Sequence, residues 1–291
     1  MGDSVADALL PKRRRAGIEY VMDLKRYGPW ALVVGGSEGI GAAFARKLAA
    51  DGFKLVLVAR KQEPLEGLAD ELRDTGAQVR TVSADLSKPD VLDRVRDATD
   101  DVEVGLLIYN AGANNTRGLF VELPEEITQS VISINVLGQA NFTRHYGAKM
   151  YERRRGGIIL AGSIGGYLGS GTLAVYCASK AFSRIFTEAL WAESAPYNVD
   201  VLHLNVGFTA TPQMKRLGID VTYAEPPETV AQQALDNITN GPVWIVNTKG
   251  NVERVRAISA VDDRAEVVRA NSIPPREETG KLAAKQAAES R

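Results

Sequence analysis

Apolar residues along the chain gather into short Val/Leu/Ile runs, separated by longer stretches in which apolar positions recur every three or four residues. Seven runs stand out: "WALVVG" at 30–35, "KLVLVA" at 54–59, "AQVRTVSA" at 77–84, "VGLLIYN" at 104–110, "GGIILAG" at 156–162, "VDVLHLNV" at 199–206 and "PVWIVN" at 242–247. Runs without polar alternation are strands covered on both faces, and the helical stretches between them are the crossovers a parallel sheet requires. The pattern predicts one doubly wound α/β domain rather than two domains, with a seven-stranded parallel sheet and helices on both faces.

The pattern weakens at both ends. Residues 1–27 precede the first strand and mix acids with the basic run Lys12, Arg13, Arg14 and Arg15. They read as an N-terminal extension, an amphipathic arm packing on the body or on a second subunit. Asp3, Asp7, Glu19 and Asp23 spoil the composition of a transit peptide. The body spans 28–250. Beyond it strand signals stop, and 251–291 form a C-terminal extension, Pro- and charge-rich from Pro274 and expected to be mobile at its end.

Composition narrows the class. The chain has 291 residues, 45% of them hydrophobic, enough for a sizeable core. Its 35 basic and 36 acidic side chains are well mixed, so no global field draws nucleic acid or an anionic membrane. One cysteine, Cys177, excludes an internal disulfide and a cysteine-based zinc site, and two isolated histidines, His145 and His203, argue against a histidine metal cluster. No apolar run approaches the ~18 residues of a membrane span. The expectation is a cytoplasmic protein without metal, nucleic-acid partner or transmembrane segment.

The segment "VVGGSEGIGAAFARKLA" sets Gly35, Gly39 and Gly41 between the first strand and a helix. Glycines let main-chain N–H groups approach a pyrophosphate, and the helix N-terminus behind offers orphan donors and partial positive charge. The spacing is G-x-x-x-G-x-G, and no Gly-Lys-Ser/Thr follows, so it is not a P-loop. A dinucleotide site for NAD wants a carboxylate about 20 residues further on, whereas NADP wants a cation for the 2′-phosphate. Arg60 and Lys61 stand there without an acid. A guanidinium matches phosphate geometry, which favours NADP(H) over NAD(H) with Arg60 as reader and Ser37 as helper.

In "VYCASKAF" a tyrosine stands four positions before a lysine. On a helix, Tyr176 and Lys180 share a face. A free phenol, with a pKa near ~10, is a poor acid or base at neutral pH, and a nearby cation is expected to lower it. Such a tyrosine gives a proton to a carbonyl oxygen as hydride arrives, or takes one from an alcohol as hydride leaves. Ser163, thirteen residues earlier at the end of a strand, is placed to hold the same oxygen. Cys177 has no partner histidine and reads as a small buried filler.

Taken with "ADL" at 84–86, "NAG" at 110–112, "NVLG" at 135–138 and "NVGFTAT" at 205–211, these words resemble the short-chain dehydrogenase/reductase family over about residues 28–250. The resemblance implies a Rossmann domain with strand order 3-2-1-4-5-6-7 and the catalytic set Asn135, Ser163, Tyr176 and Lys180. In that family the asparagine holds the lysine through water, and the lysine also binds the nicotinamide ribose. A cofactor cradle of Gly35, Ser37, Gly39, Ile40, Gly41, Arg60 and Lys61 is implied as well. Asp85 and Leu86 are then placed on the adenine, Asn110, Ala111 and Gly112 beside the cofactor, and Gly207, Thr209 and Thr211 near its carboxamide and phosphates. Val34 and Val206 depart from the family's threonine and proline; the first change removes a hydrogen bond that braces "NAG".

Within the family the first 45 residues of the body look most like the NADPH-preferring ketoacyl and 17β-hydroxysteroid reductase-like group, which implies an apolar ketone or alcohol (3-oxoacyl, steroid-like or aromatic). Tyr167, Leu168, Met214 and Leu217 are candidates for lining its pocket, with ordinary packing as the alternative. The family usually pairs the helices around residues 135–151 and 173–195 across two-fold axes, implying a homodimer or homotetramer. The competing reading from another class is a non-catalytic NADP(H)-sensing or scaffold protein on the same fold.

Overall fold

The computed structural model describes residues 22–113, 117–248 and 250–272. The expectations for residues 1–21 and for the tail from Ile273 lie outside the described residues.

The seven apolar runs all become strands: β1 Trp30–Val34, β2 Lys54–Ala59, β3 Val79–Ser83, β4 Val104–Tyr109, β5 Gly156–Ala161, β6 Val199–Asn205 and β7 Val243–Ile245. They form one parallel sheet in the order β3-β2-β1-β4-β5-β6-β7. Every residue of β1, β4 and β5 is buried, as the unbroken apolar runs require.

Helices cover both faces. On one lie α1 Leu24–Tyr27, α2 Gly39–Ala50 and α3 Gln62–Asp74, whose Tyr27, Phe44, Leu48, Leu65 and Leu68 share a core with Leu55, Leu57 and Ile108. On the other lie α4 Val91–Asp97, α5 Glu125–Ile132, a π-helical turn Ser133–Gly138 and α6 Gln139–Arg153. There Phe142, Tyr146 and Met150 pack on Leu107, Ile158 and Val201. Burying each such side chain contributes about 1.5–3 kcal/mol before chain entropy is counted. The same face carries α7 Ala174–Ser194; along the chain follow α8 Pro212–Arg216 and α9 Pro227–Asp236, the latter back on the first face, where Val230, Ala234 and Leu235 join the core of α2.

Two features position the site. The chain moves outward from β1 to β3, then returns to start β4 on the other side of β1. Connections at the carboxyl ends of β1 and β4 therefore diverge and open a crevice. The described part of the C-terminal segment folds as α10 Asn251–Ser259 and α11 Arg264–Asn271 against the connection that follows β5. Ser170 Oγ donates to the Asn271 carbonyl (3.0 Å), Gly171 N to Ser272 Oγ (2.8 Å), and Arg264 to the Tyr167 carbonyl (3.1 Å).

Candidate active site

At the carboxyl end of β1 the backbone turns through Gly35, whose φ is +84°, a conformation that favours glycine. A Cβ there would stand 2.8 Å from Ala111 N, and one on Gly41 would collide with the Gly35 carbonyl. The turn is thus packed bare backbone against the start of α2, with Ser37 and Ile40 partly exposed along it. Asn110 N and Ala111 N both donate to the Val34 carbonyl (2.9 Å each), and Asn110 Nδ2 donates to the Gly35 carbonyl (3.1 Å). The "NAG" segment is therefore braced by main chain where Val34 offers no hydroxyl.

Arg60 and Lys61 are exposed at the end of β2, and no side-chain hydrogen bond or ion pair among the described residues involves either. Burial pushes the Asp85 carboxyl up, but Ser87 N–H and hydroxyl, together with Arg60 and Lys88, outweigh it and leave its pKa lowered. Ser87 N and Oγ donate to Asp85 Oδ1 at 2.9 and 2.8 Å, so Asp85 fixes the turn in which Leu86 stands, partly buried. Thr209 is buried and its backbone bridges to Glu225. Thr211 caps α8, its hydroxyl accepting from Met214 N (3.3 Å), while Gly207 packs against Asn251 of α10.

The presumptive chemistry gathers on α7 and β5. Ser163 follows β5 and accepts from Gly165 N (3.1 Å). Tyr176 Cε1 and Ser163 Oγ both lie against Gly165, within 3.3 and 3.4 Å of where its Cβ would be. Lys180, one turn beyond Tyr176, is 5% exposed; its Nζ donates to the Ala161 carbonyl (3.1 Å) and lies 5.9 Å from the Tyr176 ring centroid. Asn135, in the π-helical turn, is fully buried. Its Oδ1 accepts from Ala113 N (2.8 Å), and its Nδ2 donates to the Ala113 carbonyl (3.1 Å) and to Ser179 Oγ (2.9 Å). Gly112 lies beside both, a Cβ there meeting Lys180 Nζ at 3.2 Å and Asn135 Oδ1 at 3.6 Å.

The electrostatics correct one expectation. The phenol of Tyr176 is not depressed: burial raises its pKa, opposed by its hydrogen bond with Ser163. Lys180 is perturbed as well, pushed down to about 8 by burial. Desolvation disfavours the charged form of each. Cys177 is a buried free thiol raised by burial, consistent with a filler.

Of the candidate pocket residues, Leu168 is buried and Tyr167 accepts from Asn205 Nδ2 (3.1 Å) beneath the guanidinium of Arg184, while Met214 and Leu217 sit partly buried on and beside α8. A small, shallow cavity bordering Tyr176 is lined instead by residues that sequence reasoning missed, among them Phe120, Leu123, Ile127, Val131 and Val175. The apolar period of α5 was the available signal; it does not reveal that α5 faces the start of α7.

Among the described residues no group of three His, Cys, Asp or Glu side chains is arranged to hold a metal, and no helix is long and apolar enough to cross a membrane. A family model described as short chain dehydrogenase matches residues 29–222. The chain is 35% identical over 202 residues to a very-long-chain 3-oxoacyl-CoA reductase of Coccidioides immitis (strain RS), a match covering 67% of this chain and 58% of that reductase. It is 32% identical over 243 residues to a 7beta-hydroxysteroid dehydrogenase of Clostridium sardiniense, covering 82% and 92%. Among solved structures, one from work on 7beta-hydroxysteroid dehydrogenase stereoselectivity superposes with a TM-score of 0.80 at 30% identity, covering 85% of this chain and 98% of that one. A short-chain dehydrogenase from Sphingobium yanoikuyae in complex with NADPH gives 0.70 at 29%, covering 81% and 97%.

Proposed function

The chain belongs to the short-chain dehydrogenase family, and from that premise we propose that it is an NADP(H)-dependent oxidoreductase that interconverts an apolar ketone and its secondary alcohol. The observation that carries the reading is Tyr176 packed beside Ser163 with the buried Lys180 one helical turn on, at the carboxyl edge of the sheet next to the glycine turn. The residues present fit a nicotinamide dinucleotide. Gly35 and Gly41 leave no room for side chains and so keep bare backbone at the turn, the N-terminus of α2 stands behind it, and Arg60 and Lys61 are exposed cations at the end of β2, available to a 2′-phosphate. When bound, that dinucleotide supplies or accepts the hydride.

The protein's own part is protonic and electrostatic. Ser163 holds the substrate oxygen through its hydroxyl, and Tyr176 gives that oxygen a proton in reduction or removes it in oxidation. Lys180, its ammonium facing the phenol ring, favours the phenolate in the step where Tyr176 has lost its proton. Asn135 holds Ala113 through both its N–H and its carbonyl, which keeps the wall of the site beside Lys180 in place. The apolar lining of the cavity against Tyr176 supports an apolar substrate of the 3-oxoacyl, steroid-like or aromatic kind. The names of the two relatives point the same way. The assembly we propose is a homodimer or homotetramer.

Tyr176→Phe tests the chemistry: ketone reduction followed by NADPH consumption falls by about 10²–10⁴-fold, while NADPH binding followed by its fluorescence persists. Normal turnover in that variant would remove Tyr176 from the reaction. For the cofactor, Arg60→Ala raises the KM for NADPH roughly tenfold or more, the worth of a charge-assisted phosphate contact, and leaves NADH kinetics unchanged. Equal effects on both cofactors would refute Arg60 as the 2′-phosphate reader.

A further inference from the structure

Glu38 occupies the N-cap position of α2, immediately before the helix end that faces the dinucleotide, yet its side chain makes no capping hydrogen bond. It reaches across the crevice to Arg216, the last residue of α8. The contact is bidentate: Arg216 Nη1 lies 2.6 Å from Glu38 Oε2 and Nη2 2.8 Å from Oε1, between residues 178 positions apart. Nη2 also donates to Gln213 Oε1 (3.0 Å). The segment that carries Arg216 rests on the same glycine turn, because a Cβ on Gly39 would stand 3.1 Å from Thr211 Cγ2 and 3.6 Å from Pro212 Cδ. Its base is fixed by main chain: Ala210 N donates to the Glu225 carbonyl (2.8 Å) and Glu225 N to the Phe208 carbonyl (2.9 Å).

We propose that Glu38 and Arg216 form a clasp that fastens the segment around α8 to the glycine turn and thereby sets how fast the dinucleotide is released. The inference rests on the proposed function for its ligand and goes beyond it in assigning both side chains as positioning residues. Two physical effects act together. A carboxylate at a helix N-terminus competes with, and repels, the pyrophosphate that the same N-terminus attracts. The guanidinium fork turns that carboxylate toward α8 and neutralises it, so the phosphate position is left to the backbone N–H groups. The pair is also partly exposed, with 44% of the arginine and 26% of the glutamate side chain accessible. An ion pair of that exposure is weak enough to open in each catalytic cycle.

The test compares the parent protein with Arg216→Gln, Glu38→Gln and the double variant. Amide hydrogen exchange of residues 212–223, measured without cofactor, rises in both single variants. NADPH release, followed by stopped-flow fluorescence, speeds up about threefold to tenfold in Arg216→Gln, in keeping with a partly exposed bidentate pair. Glu38→Gln speeds release as well, and associates faster than Arg216→Gln, in which the carboxylate is left unpaired and repels the pyrophosphate. The double variant releases NADPH no faster than Arg216→Gln. Salt at about 1 M, where the screening length falls to ~3 Å, accelerates release more in the parent than in Arg216→Gln, because only the parent has the clasp to lose. Unchanged exchange and release in Arg216→Gln would overturn the clasp, as would two single effects that simply add in the double variant. A parent protein that takes up no NADPH would overturn the cofactor reading instead, a failure separable from the first because hydrogen exchange needs no ligand.

Discussion

His203 is fully buried on β6, and neither ring nitrogen has a hydrogen-bond partner among the described residues. The ring fits only because Gly162, which precedes Ser163, has no Cβ; one there would overlap the imidazole. Burial pushes its pKa down to about 3, with the positive charges of Lys180 and Arg184 adding to the effect. The sign follows directly: an unfolded histidine gains a proton as pH falls below about 6.5 and the folded one does not, so stability drains away from 6.5 toward 3. Urea unfolding at pH 7.5 and pH 5 should show the parent losing about 2 kcal/mol more than His203→Leu over that interval, at about 1.4 kcal/mol per pH unit. An identical pH dependence in the two proteins would refute the assignment. Lys180 shares the sign, since its folded value near 8 lies below the ordinary 10.5. Its buried ammonium is a penalty at neutral pH that is relieved as pH climbs from 8 to 10.5. Lys180→Met is therefore expected to be inactive yet about 1–3 kcal/mol more stable at pH 7, the gain fading by pH 10, as thermal unfolding across that range would show. The Tyr176–Lys180 spacing was legible in the sequence. The direction of the tyrosine shift was not, because it depends on cover from the connection after β5 and from α5, which the fold brings over it.

At the scale of elements, the turn Ser133–Gly138 decides where Asn135 points. Its π-helical winding leaves the regular i→i−4 ladder, and the hydroxyl of Tyr109, at the end of β4, donates to the Ile134 carbonyl (2.7 Å). Tyr109→Phe leaves that carbonyl without its donor and is predicted to cost about 1–3 kcal/mol. It should also weaken NADPH binding, since Asn135 holds Ala113 beside the crevice. Denaturant midpoints and NADPH titration check both, and an unaltered midpoint would mean that the turn holds its winding without Tyr109. The sequence "SINVLG" carries no mark of this turn, whose partner lies 25 residues back in a strand. Strands were far more legible: "KLVLVA" is β2 from Lys54 to Ala59 without adjustment. The largest differences fall at the sheet edges, where "AQVRTVSA" shortens to Val79–Ser83 and "PVWIVN" to Val243–Ile245. An edge strand has one neighbour, so its ladder stops wherever that single partner turns away, and apolar content alone does not locate that point. Contacts such as Glu38 with Arg216 are hidden for the same reason at longer range: two exposed charges in different segments carry no mutual signal until the fold joins them.

For the whole molecule, α7 poses the sharpest question, because it exposes an apolar stripe while burying polar side chains. It turns Ser179, Lys180, Ser183 and Thr187 inward, all buried, and presents Ala178, Phe182, Ile185, Ala189 and Ala192 outward, all exposed. The outward set follows alternating spacings of four and three, the seam of a helix that packs against another helix. Ile185 is 54% exposed, and Leu137, on the turn that precedes α6, is 52% exposed. Phe186 and Leu190 of the same helix pack on the core, whereas in a monomer the outward stripe would lie in water, against what burial favours. A two-fold axis beside α7 lets the stripe meet its own copy, so that one sequence feature supplies both halves of the interface. Sedimentation of the parent protein should therefore give twice the mass of the chain or more. Phe182→Asp combined with Ile185→Asp should give a single chain, because burying four carboxylates at the axis is prohibitive. Since Tyr176 and Lys180 ride on this helix, the monomer should also lose turnover while keeping the proposed preference for NADPH over NADH. A parent protein sedimenting as one chain would leave the outward apolar face of α7 without a physical reason, and the proposed assembly would fall with it.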